Sequence, residues 1–315
     1  SIQWHPLIAR WAWCRSLAAP CVALVLAASV IGCGGGDGTR RMSPLERQMY
    51  LSPTAVATPV VPATIGAGYD SQCLLTSDGA AWCWGSNEYG QLGATTASPC
   101  AGGLVACTWQ PVATQPALRF AAISASLRHG CGLDAAGQGW CWGFGRGGQL
   151  GDGASTDSMA AVAVAGGHRF VQVDAGAEGL VSCALDDAGT AWCWGPGDAG
   201  GLGNGTTDSA NAPVQVLAAQ PFVSVGAGAA HACGLDGAGL AWCWGRNPYG
   251  VLGLGTPGAS LLPAPVVGGH VFTALAVGGN VNCGLTAAGA AWCWGFALGL
   301  GDGVQAHSDV PVPVA

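Results

Sequence analysis

The sequence contains no lysine, and only 9% of its 315 residues are charged. All ten basic residues are therefore arginines, and 17 acidic residues outnumber them, which gives a formal net charge of −7. Proteins that bind nucleic acid or anionic lipid through surface charge carry clusters of basic residues instead. The composition therefore argues against nucleic acid as a partner, and against a membrane surface bound through charge.

Common catalytic and metal-binding motifs are also missing. The sequence has no nucleophile elbow, phosphate-binding loop, metalloprotease helix or Cys-x2-Cys pair of the kind that binds zinc. Its histidines recur at equivalent places: His129 and His231 each precede a cysteine by two residues. His168 and His270 each occur in Gly-Gly-His-x-Phe. An active site needs residues that differ between repeats, so we expect structural histidines, no enzymatic activity and no cofactor.

Acidic and amide side chains recur after Leu-Gly, at Asp152, Asn204 and Asp302. Calcium is one possible ligand for such groups. However, their spacing to the next acidic residue varies, and no glutamate follows that could bind calcium through both oxygens. The pattern favours side chains that cap turns, and we expect no metal site.

What the sequence does contain is Trp-Cys-Trp-Gly, five times. Successive copies begin 58, 52, 50 and 50 residues apart, at Trp82, Trp140, Trp192, Trp242 and Trp292. A repeat of about this length is typical of solenoids and β-propellers. The 54 glycines fit the many tight turns that an all-β repeat protein needs.

Each repeat also has a second cysteine, ten residues before the cysteine of Trp-Cys-Trp-Gly, and a glycine six residues after that second cysteine. A glycine in this place suits a three-residue hairpin loop, which needs one residue in the left-handed conformation. Centring the loop of the first repeat on Asp78 places Cys73 opposite Cys83. Directly opposed residues lie close enough for a disulfide. We therefore predict the pairs Cys73–Cys83, Cys131–Cys141, Cys183–Cys193, Cys233–Cys243 and Cys283–Cys293.

Another apolar strand precedes each hairpin, and a Pro-Val strand or its equivalent follows each one. Four short strands per repeat are the content of one propeller blade. Tryptophans on one face of each hairpin and the cystine on the other make both faces apolar, as expected of blades that neighbours cover on both sides. The sequence thus predicts an all-β fold, a β-propeller of about five four-stranded blades, over residues 63–315.

The first 62 residues are of another kind. Arginines precede an apolar run in residues 17–32, which suits a secretory signal peptide over residues 1–32. Cys33 follows Val-Ile-Gly, and this arrangement resembles the lipobox of bacterial lipoproteins, which implies a lipid on Cys33. An ordinary signal peptide or an amino-terminal membrane anchor is the alternative. Residues 33–62 would be the lipid site and a tether, or would include a small helix over residues 44–50.

The 15 cysteines support export. Ten form the hairpin pairs, Cys14 and Cys21 fall in the signal, and Cys33 is the lipid candidate. Cys100 and Cys107 remain, in an insertion in the first repeat, and we expect them to bridge each other. Processing would leave twelve paired cysteines, as an oxidising compartment favours. We expect a protein of the bacterial cell envelope or the extracellular space.

Gly-x-x-Trp-Cys-Trp-Gly followed by Tyr89-Gly90-Gln91-Leu92-Gly93 resembles the repeat of the regulator of chromosome condensation family. The resemblance covers residues 60–315 and implies a β-propeller, usually of seven blades. It also implies several different functions: nuclear members are guanine-nucleotide exchange factors that bind chromatin, and a secreted bacterial member inhibits β-lactamases. The export signal, the paired cysteines and the scarcity of basic residues depart from the nuclear pattern.

The loops that follow Trp-Cys-Trp-Gly differ most between repeats, and equivalent loops of a propeller lie on one face. Tyrosine and arginine are enriched in binding hot spots. The candidate binding residues are Tyr89, Phe144, Arg146, Arg246, Tyr249 and Phe296. The alternative is turn variation with no ligand.

The sequence thus predicts an exported, membrane-anchored monomer that is a protein-binding or ligand-binding scaffold for an unknown protein or envelope component. The alternatives are an inhibitor that blocks an enzyme, a guanine-nucleotide exchange factor, an enzyme with titratable groups in the axial pocket, and a purely structural envelope protein.

Five repeats predict a ring of five blades that closes within the chain, since an open arc leaves blade faces uncovered. A strand over residues 59–61 would then latch onto the last blade or lie outside the ring. The alternative is that the chain is part of a larger ring.

Overall fold

A computed structural model gives the fold and describes residues 62–95, 98–100 and 105–315. The predicted signal peptide, the lipid site at Cys33, the tether with its alternative helix, and the strand over residues 59–61 lie outside these residues. Three one-turn 3-10 helices are the only helices in the described ranges, and none is long and apolar enough to cross a membrane.

Five antiparallel sheets follow one another along the chain, one per repeat. Blade 1 contains β1 (Pro62–Ala67), β2 (Ser71–Thr76), β3 (Ala81–Ser86), β4 (Ser98–Cys100) and β5 (Val105–Thr114). Blade 2 contains β6 (Ala122–Ala125), β7 (His129–Leu133), β8 (Gly139–Gly143) and β9 (Ser158–Ala163). Blade 3 contains β10 (Phe170–Asp174), β11 (Ser182–Asp186), β12 (Ala191–Gly195) and β13 (Ala210–Gln215).

Blade 4 contains β14 (Phe222–Ala227), β15 (His231–Asp236), β16 (Ala241–Gly245) and β17 (Ser260–Pro265). Blade 5 contains β18 (Phe272–Val277), β19 (Val281–Thr286), β20 (Ala291–Gly295) and β21 (Ser308–Pro313). Strands pair in chain order within blades 2 to 5, as the sequence predicts. Blade 1 departs from this pattern because the insertion adds β4 at the outer edge, beside β5.

The hairpin at the centre of each blade has the predicted register. In blade 1 Cys73 lies opposite Cys83, and the neighbouring pair is Leu74 with Trp82. The N–H of Thr76 donates to the carbonyl of Ala80 at 2.9 Å and so closes the loop. Gly79 has a φ of 80°, the left-handed conformation for which the turn requires glycine.

Disulfides join the two cysteines of every hairpin, with a Cα–Cα distance of 4.1 Å in each of the five pairs. Cys107 is also disulfide-bonded. The side chain of Cys100, its predicted partner, lies outside the described residues. In blades 1 to 4 the hairpin cystine is buried in an apolar cluster shared with the next blade, so it stiffens the part of the repeat that the next blade contacts. In blade 5 Cys283 is only half-buried.

The first strands of consecutive blades contact one another, from β1 to β6, β10, β14 and β18. They therefore lie nearest the centre of the arc. The blades pack on each other through a leucine that lies two residues after the first hairpin cysteine. In blade 2 this residue is Leu133, which shares one core cluster with Phe170 and Trp194 of blade 3. Trp194 also donates its Nε1 hydrogen to the carbonyl of Gln149 in the preceding blade at 2.7 Å. Each blade is thus completed by its successor.

The expected closed ring of five blades is wrong. Leu285 of blade 5 is 43% exposed, whereas its equivalents in blades 1 to 4 are only 3 to 4% exposed. At the other end Trp84 is half-buried, whereas its equivalents in blades 2 to 5 are fully buried. Contacts within the described ranges run from blade 1 to blade 5 in chain order. Over residues 62–95, 98–100 and 105–315 the five blades therefore form an arc, in which no further blade packs against blade 1 or blade 5.

Candidate binding face

Two sets of loops lie at the same end of every sheet because adjacent strands are antiparallel. One set connects the first strand of a blade to the second, and the other connects the third strand to the fourth. We call this end the loop face. It comprises residues 68–70, 87–95, 126–128, 144–157, 175–181, 196–209, 228–230, 246–259, 278–280 and 296–307. All six sequence-predicted binding residues lie on it.

The first cluster on the loop face joins blades 1 and 2. The rings of Tyr89 and Phe144 meet edge to face, with centroids 5.4 Å apart. The guanidinium carbon of Arg128 lies 5.7 Å from the centroid of Tyr89 and 5.6 Å from that of Phe144, a distance at which a cation is attracted to an aromatic ring. Gln91 orients the loop, since its Oε1 accepts from the Tyr89 N–H at 2.9 Å.

The second cluster joins blades 4 and 5. Tyr249 lies 5.0 Å from Phe296 and 4.6 Å from His307, measured between ring centroids. The Nδ1 of His307 accepts a hydrogen bond from the Ala297 N–H at 3.0 Å, which fixes the ring. Tyr249 has a φ of 60°, which is rare for a residue other than glycine, and its side chain is 48% exposed. Ala199, at the same repeat position in blade 3, has a φ of 54°, so this backbone conformation belongs to the loop of the repeat.

The two clusters are copies of one arrangement. In each, the tyrosine lies seven residues after the first tryptophan of its own blade's Trp-Cys-Trp-Gly. It contacts a phenylalanine that lies four residues after the first tryptophan of the next blade's Trp-Cys-Trp-Gly. The sequence pattern identified both tyrosines and both phenylalanines but missed Arg128 and His307. Arg128 had a detectable signal, because its position in the repeat is occupied by a different residue in every blade.

The two predicted arginines differ in their contacts. Arg146 forms an ion pair with Asp157, with 2.9 Å between Nε and Oδ2, at an exposed position. Exposed pairs of this kind contribute about 0 to 1 kcal/mol to stability. Arg246 is exposed and has no carboxylate partner among the described residues, in which Arg146–Asp157 is the only ion pair.

Arg246 lines a cavity of about 250 Å³ at the junction of blades 3, 4 and 5. Glu178, Leu180, Tyr249 and Asn280 also line it. The carboxylate of Glu178 accepts one hydrogen bond, from Asn280 Nδ2 at 3.4 Å. This cavity therefore places a carboxylate, a guanidinium, an amide and an aromatic ring around one space.

The buried histidines are part of the scaffold, as expected. His129 lies 2.7 Å from the Ser182 hydroxyl of the next blade through Nε2, and burial lowers its pKa to about 3. His231 lies 3.2 Å from Asn282 Oδ1 of the next blade, and burial lowers its pKa to about 4. A histidine that stays neutral and bonds across the blade boundary supports packing, and His231 also lines the cavity beside Arg246.

The remaining repeated polar residues also have structural roles. His168 and His270 lie 3.9 and 4.0 Å from the rings of Trp192 and Trp292 in their own blades. The carboxylate of Asp152 accepts from the Ala154 N–H at 3.0 Å, and Asn204 and Asp302 make the same contact two residues on. These bonds are the predicted turn caps. No group of three or more potential metal ligands occurs in the described part of the chain.

Two sequence profiles, both described as "Regulator of chromosome condensation (RCC1) repeat", match the chain. One matches residues 78–133 and 188–235, and the other matches residues 63–91 and 222–251. Among curated proteins, the E3 ubiquitin-protein ligase HERC2 of Mus musculus and of Homo sapiens is 30% identical over 162 residues. That match covers 50% of this chain but only 3% of the length of HERC2.

Solved structures show the same fold at low sequence identity. Human WBSCR16 superimposes with a TM-score of 0.74 and 20% identity, over 84% of this chain and 70% of its own. Prp20p of Saccharomyces cerevisiae, whose structure was described with its binding properties to Gsp1p and histones, superimposes with a TM-score of 0.68 and 19% identity. That match covers 81% of this chain and 63% of Prp20p.

Proposed function

Because the chain is built from repeats of the regulator of chromosome condensation family and folds as that family's propeller does, we propose that it is an exported scaffold that binds another protein through its loop face. The observation that carries this proposal is the pair of equivalent aromatic clusters. Each combines a tyrosine, a phenylalanine and a cationic or imidazole group at a seam between two blades.

Aromatic and arginine side chains on rigid elements are the typical anchors of protein interfaces. Here both tyrosines rest against the neighbouring blade, so a partner would not have to order them. Because binding would then cost less side-chain entropy, more of the free energy of the contacts contributes to affinity. The arrangement therefore favours protein binding over the alternative that these loops vary between repeats without binding anything.

Export is supported by the hairpin cystines, since disulfides form and persist in oxidising compartments. In this proposal lipid on Cys33 holds the protein at a membrane, and the partner is a protein of the cell envelope or of the extracellular space. The chain has no lysine, which disfavours strongly acidic partners that would need a dense cluster of basic residues on this protein. An enzyme blocked by the loop face would be one form that the partner could take.

Affinity capture tests the proposal. The full exported protein would be compared with a Tyr89→Ala/Tyr249→Ala variant, with envelope extract of the producing organism as the source of partners. The matched control is Val171→Ala/Val223→Ala, which truncates two side chains that are 55% and 61% exposed near the start of β10 and β14, at the opposite end of the blades. We expect partners that the wild type and the control retain and that the tyrosine variant loses. Equal recovery by all three proteins would overturn the proposal.

Lipidation is tested separately by Cys33→Ala. We expect the variant to leave the membrane fraction and to be processed differently from the wild type. Unchanged fractionation would show that the protein is held at the membrane, or released from it, without lipid on this cysteine.

A further inference from the structure

Blade 3 differs from the other four blades at the centre of the loop face. Its connection between the first two strands covers residues 175–181, whereas the other blades use three residues there. Gly176 and Gly179 allow the extra turn, with φ of 65° and 70°, and the Gly179 N–H donates to the Gly176 carbonyl at 3.0 Å. The longer loop carries Glu178 across to blade 5, where the carboxylate meets Asn280.

The cavity beneath this loop holds two opposite charges that do not pair with each other. Glu178 has Asn280 as its only hydrogen-bond partner, and Arg246 has no carboxylate within 4.0 Å, among the described residues. Both side chains line the same space. A ligand with a cationic and an anionic end would pair with both the Glu178 carboxylate and the Arg246 guanidinium. A ligand with a single charge would leave one of these two side chains without an oppositely charged partner.

The rest of the wall indicates the body of such a ligand. Leu180 and Pro248 are apolar, and Tyr249 adds an aromatic ring that is held by its contacts with Phe296 and His307. The volume, about 250 Å³, lies below the range usual for pockets that hold drug-sized molecules. We infer that this cavity binds an α-amino acid as its zwitterion, with the ammonium at Glu178, the carboxylate at Arg246 and an aliphatic side chain against Leu180 and Pro248.

Three isosteric probes test the inference by calorimetric titration of the full protein. L-leucine carries both charges, L-leucinamide only the cation, and 4-methylpentanoate only the anion. We expect saturable binding of L-leucine with a Kd of about 1 mM or tighter, and binding of the other two at least about tenfold weaker, because each forfeits one charge-assisted contact.

Glu178→Gln and Arg246→Gln should each weaken L-leucine binding at least about tenfold, since a charge-assisted hydrogen bond is lost. Glu178→Gln should also reduce the difference between L-leucine and 4-methylpentanoate. Glu88→Gln and Arg169→Gln each remove a charge of the same sign outside the cavity and should leave L-leucine binding unchanged. Circular dichroism of each variant checks the fold.

Three results would overturn the inference: no saturable binding of L-leucine, equal affinity for the three probes, or equal loss in the control variants. The inference is separable from the proposed function. Tyr89→Ala lies between blades 1 and 2 and should reduce partner capture while leaving L-leucine binding intact. Loss of amino-acid binding in the cavity variants, in turn, does not require any loss of the protein partner.

Discussion

The open arc makes a quantitative prediction about two leucines at the same place in the repeat. Leu235 and Leu285 both lie two residues after the first hairpin cysteine, opposite an alanine in the next strand. Leu235 is 4% exposed because blade 5 covers it, and Leu285 is 43% exposed because no blade does. Replacing each with alanine therefore makes the same chemical change in two environments.

The expected difference follows from burial. Leucine to alanine removes three carbon groups, worth about 0.8 kcal/mol each when buried, or roughly 2.4 kcal/mol in transfer free energy. At Leu235 a closed cavity adds to this, for a total loss of about 3 to 4 kcal/mol. At Leu285 the transfer cost falls to roughly 1.4 kcal/mol, and no closed cavity forms because the site is open to water. We expect the two variants to differ by about 2 kcal/mol.

Urea unfolding followed by tryptophan fluorescence measures both variants against the wild type. The comparison uses the difference between variants, since arrays of repeats depart from two-state unfolding and absolute free energies are then poorly defined. Equal losses of stability in Leu235→Ala and Leu285→Ala would refute the open arc, because Leu285 would then be covered in solution by closure of the ring or by another blade.

Three further predictions concern the scaffold. Mass analysis without reduction should find each cystine within its own repeat, and Cys183→Ala/Cys193→Ala should lose about 2 to 3 kcal/mol of stability because the unfolded chain is less constrained; free thiols in exported protein would contradict the pairing. The free energy of unfolding should fall as pH drops from 6.5 towards 3. His129 and His231 are protonated in the unfolded state at these pH values but stay neutral in the folded state, where burial lowers the pKa of each. Each should cost about 2 kcal/mol at pH 5, read as the extra pH dependence of the wild type over a His129→Asn/His231→Asn variant, since the raised pKa of buried Asp174 acts in the opposite direction; no extra dependence between pH 7 and 5 would contradict this. Trp194→Phe should lose more stability than Trp244→Phe, since both tryptophans are fully buried but, of the two, only Trp194 donates its Nε1 hydrogen to a partner among the described residues, the Gln149 carbonyl in the preceding blade; equal losses by urea unfolding would count against that bond.

The hairpin could be predicted from the sequence almost residue by residue. A glycine six residues after the first cysteine fixes the turn, the turn fixes the register, and the register places Cys73 opposite Cys83. Every step involves residues within about ten positions of one another. Local geometry therefore sufficed for the strands and for the disulfides.

Closure of the ring could not be predicted in this way, because it depends on contacts between blades. Whether blade 5 meets blade 1 depends on the angle between blades, which the packing of Leu133 on Trp194 and its equivalents sets. That angle leaves no trace in the repeat itself. The number of repeats was consequently a poor guide to closure, and the exposures of Leu285 and Trp84 were needed to decide it.

The loop face shows the same division. Tyr89, Phe144, Tyr249 and Phe296 could be found because each lies in a loop that varies between repeats. Their arrangement in pairs could not, because each pair joins loops of different blades. His307 was missed for the same reason, since it follows Phe296 by eleven residues and meets Tyr249 of the preceding blade.

In a repeat protein, residues that recur and residues that depart from the repeat do different work. His129 and His231 occupy the same repeat position and both bond across a blade boundary. A buried polar residue found in several blades must suit a contact that those blades share, and for these histidines that contact is packing. Glu178 exists in one blade only, on a loop that no other blade has, and it reaches the space where blades 3, 4 and 5 meet. A small ligand in this space would meet groups that occur at one place in the arc, so they need not fit any contact shared by the blades. The search for a small-molecule site in this chain therefore begins with residues 175–181.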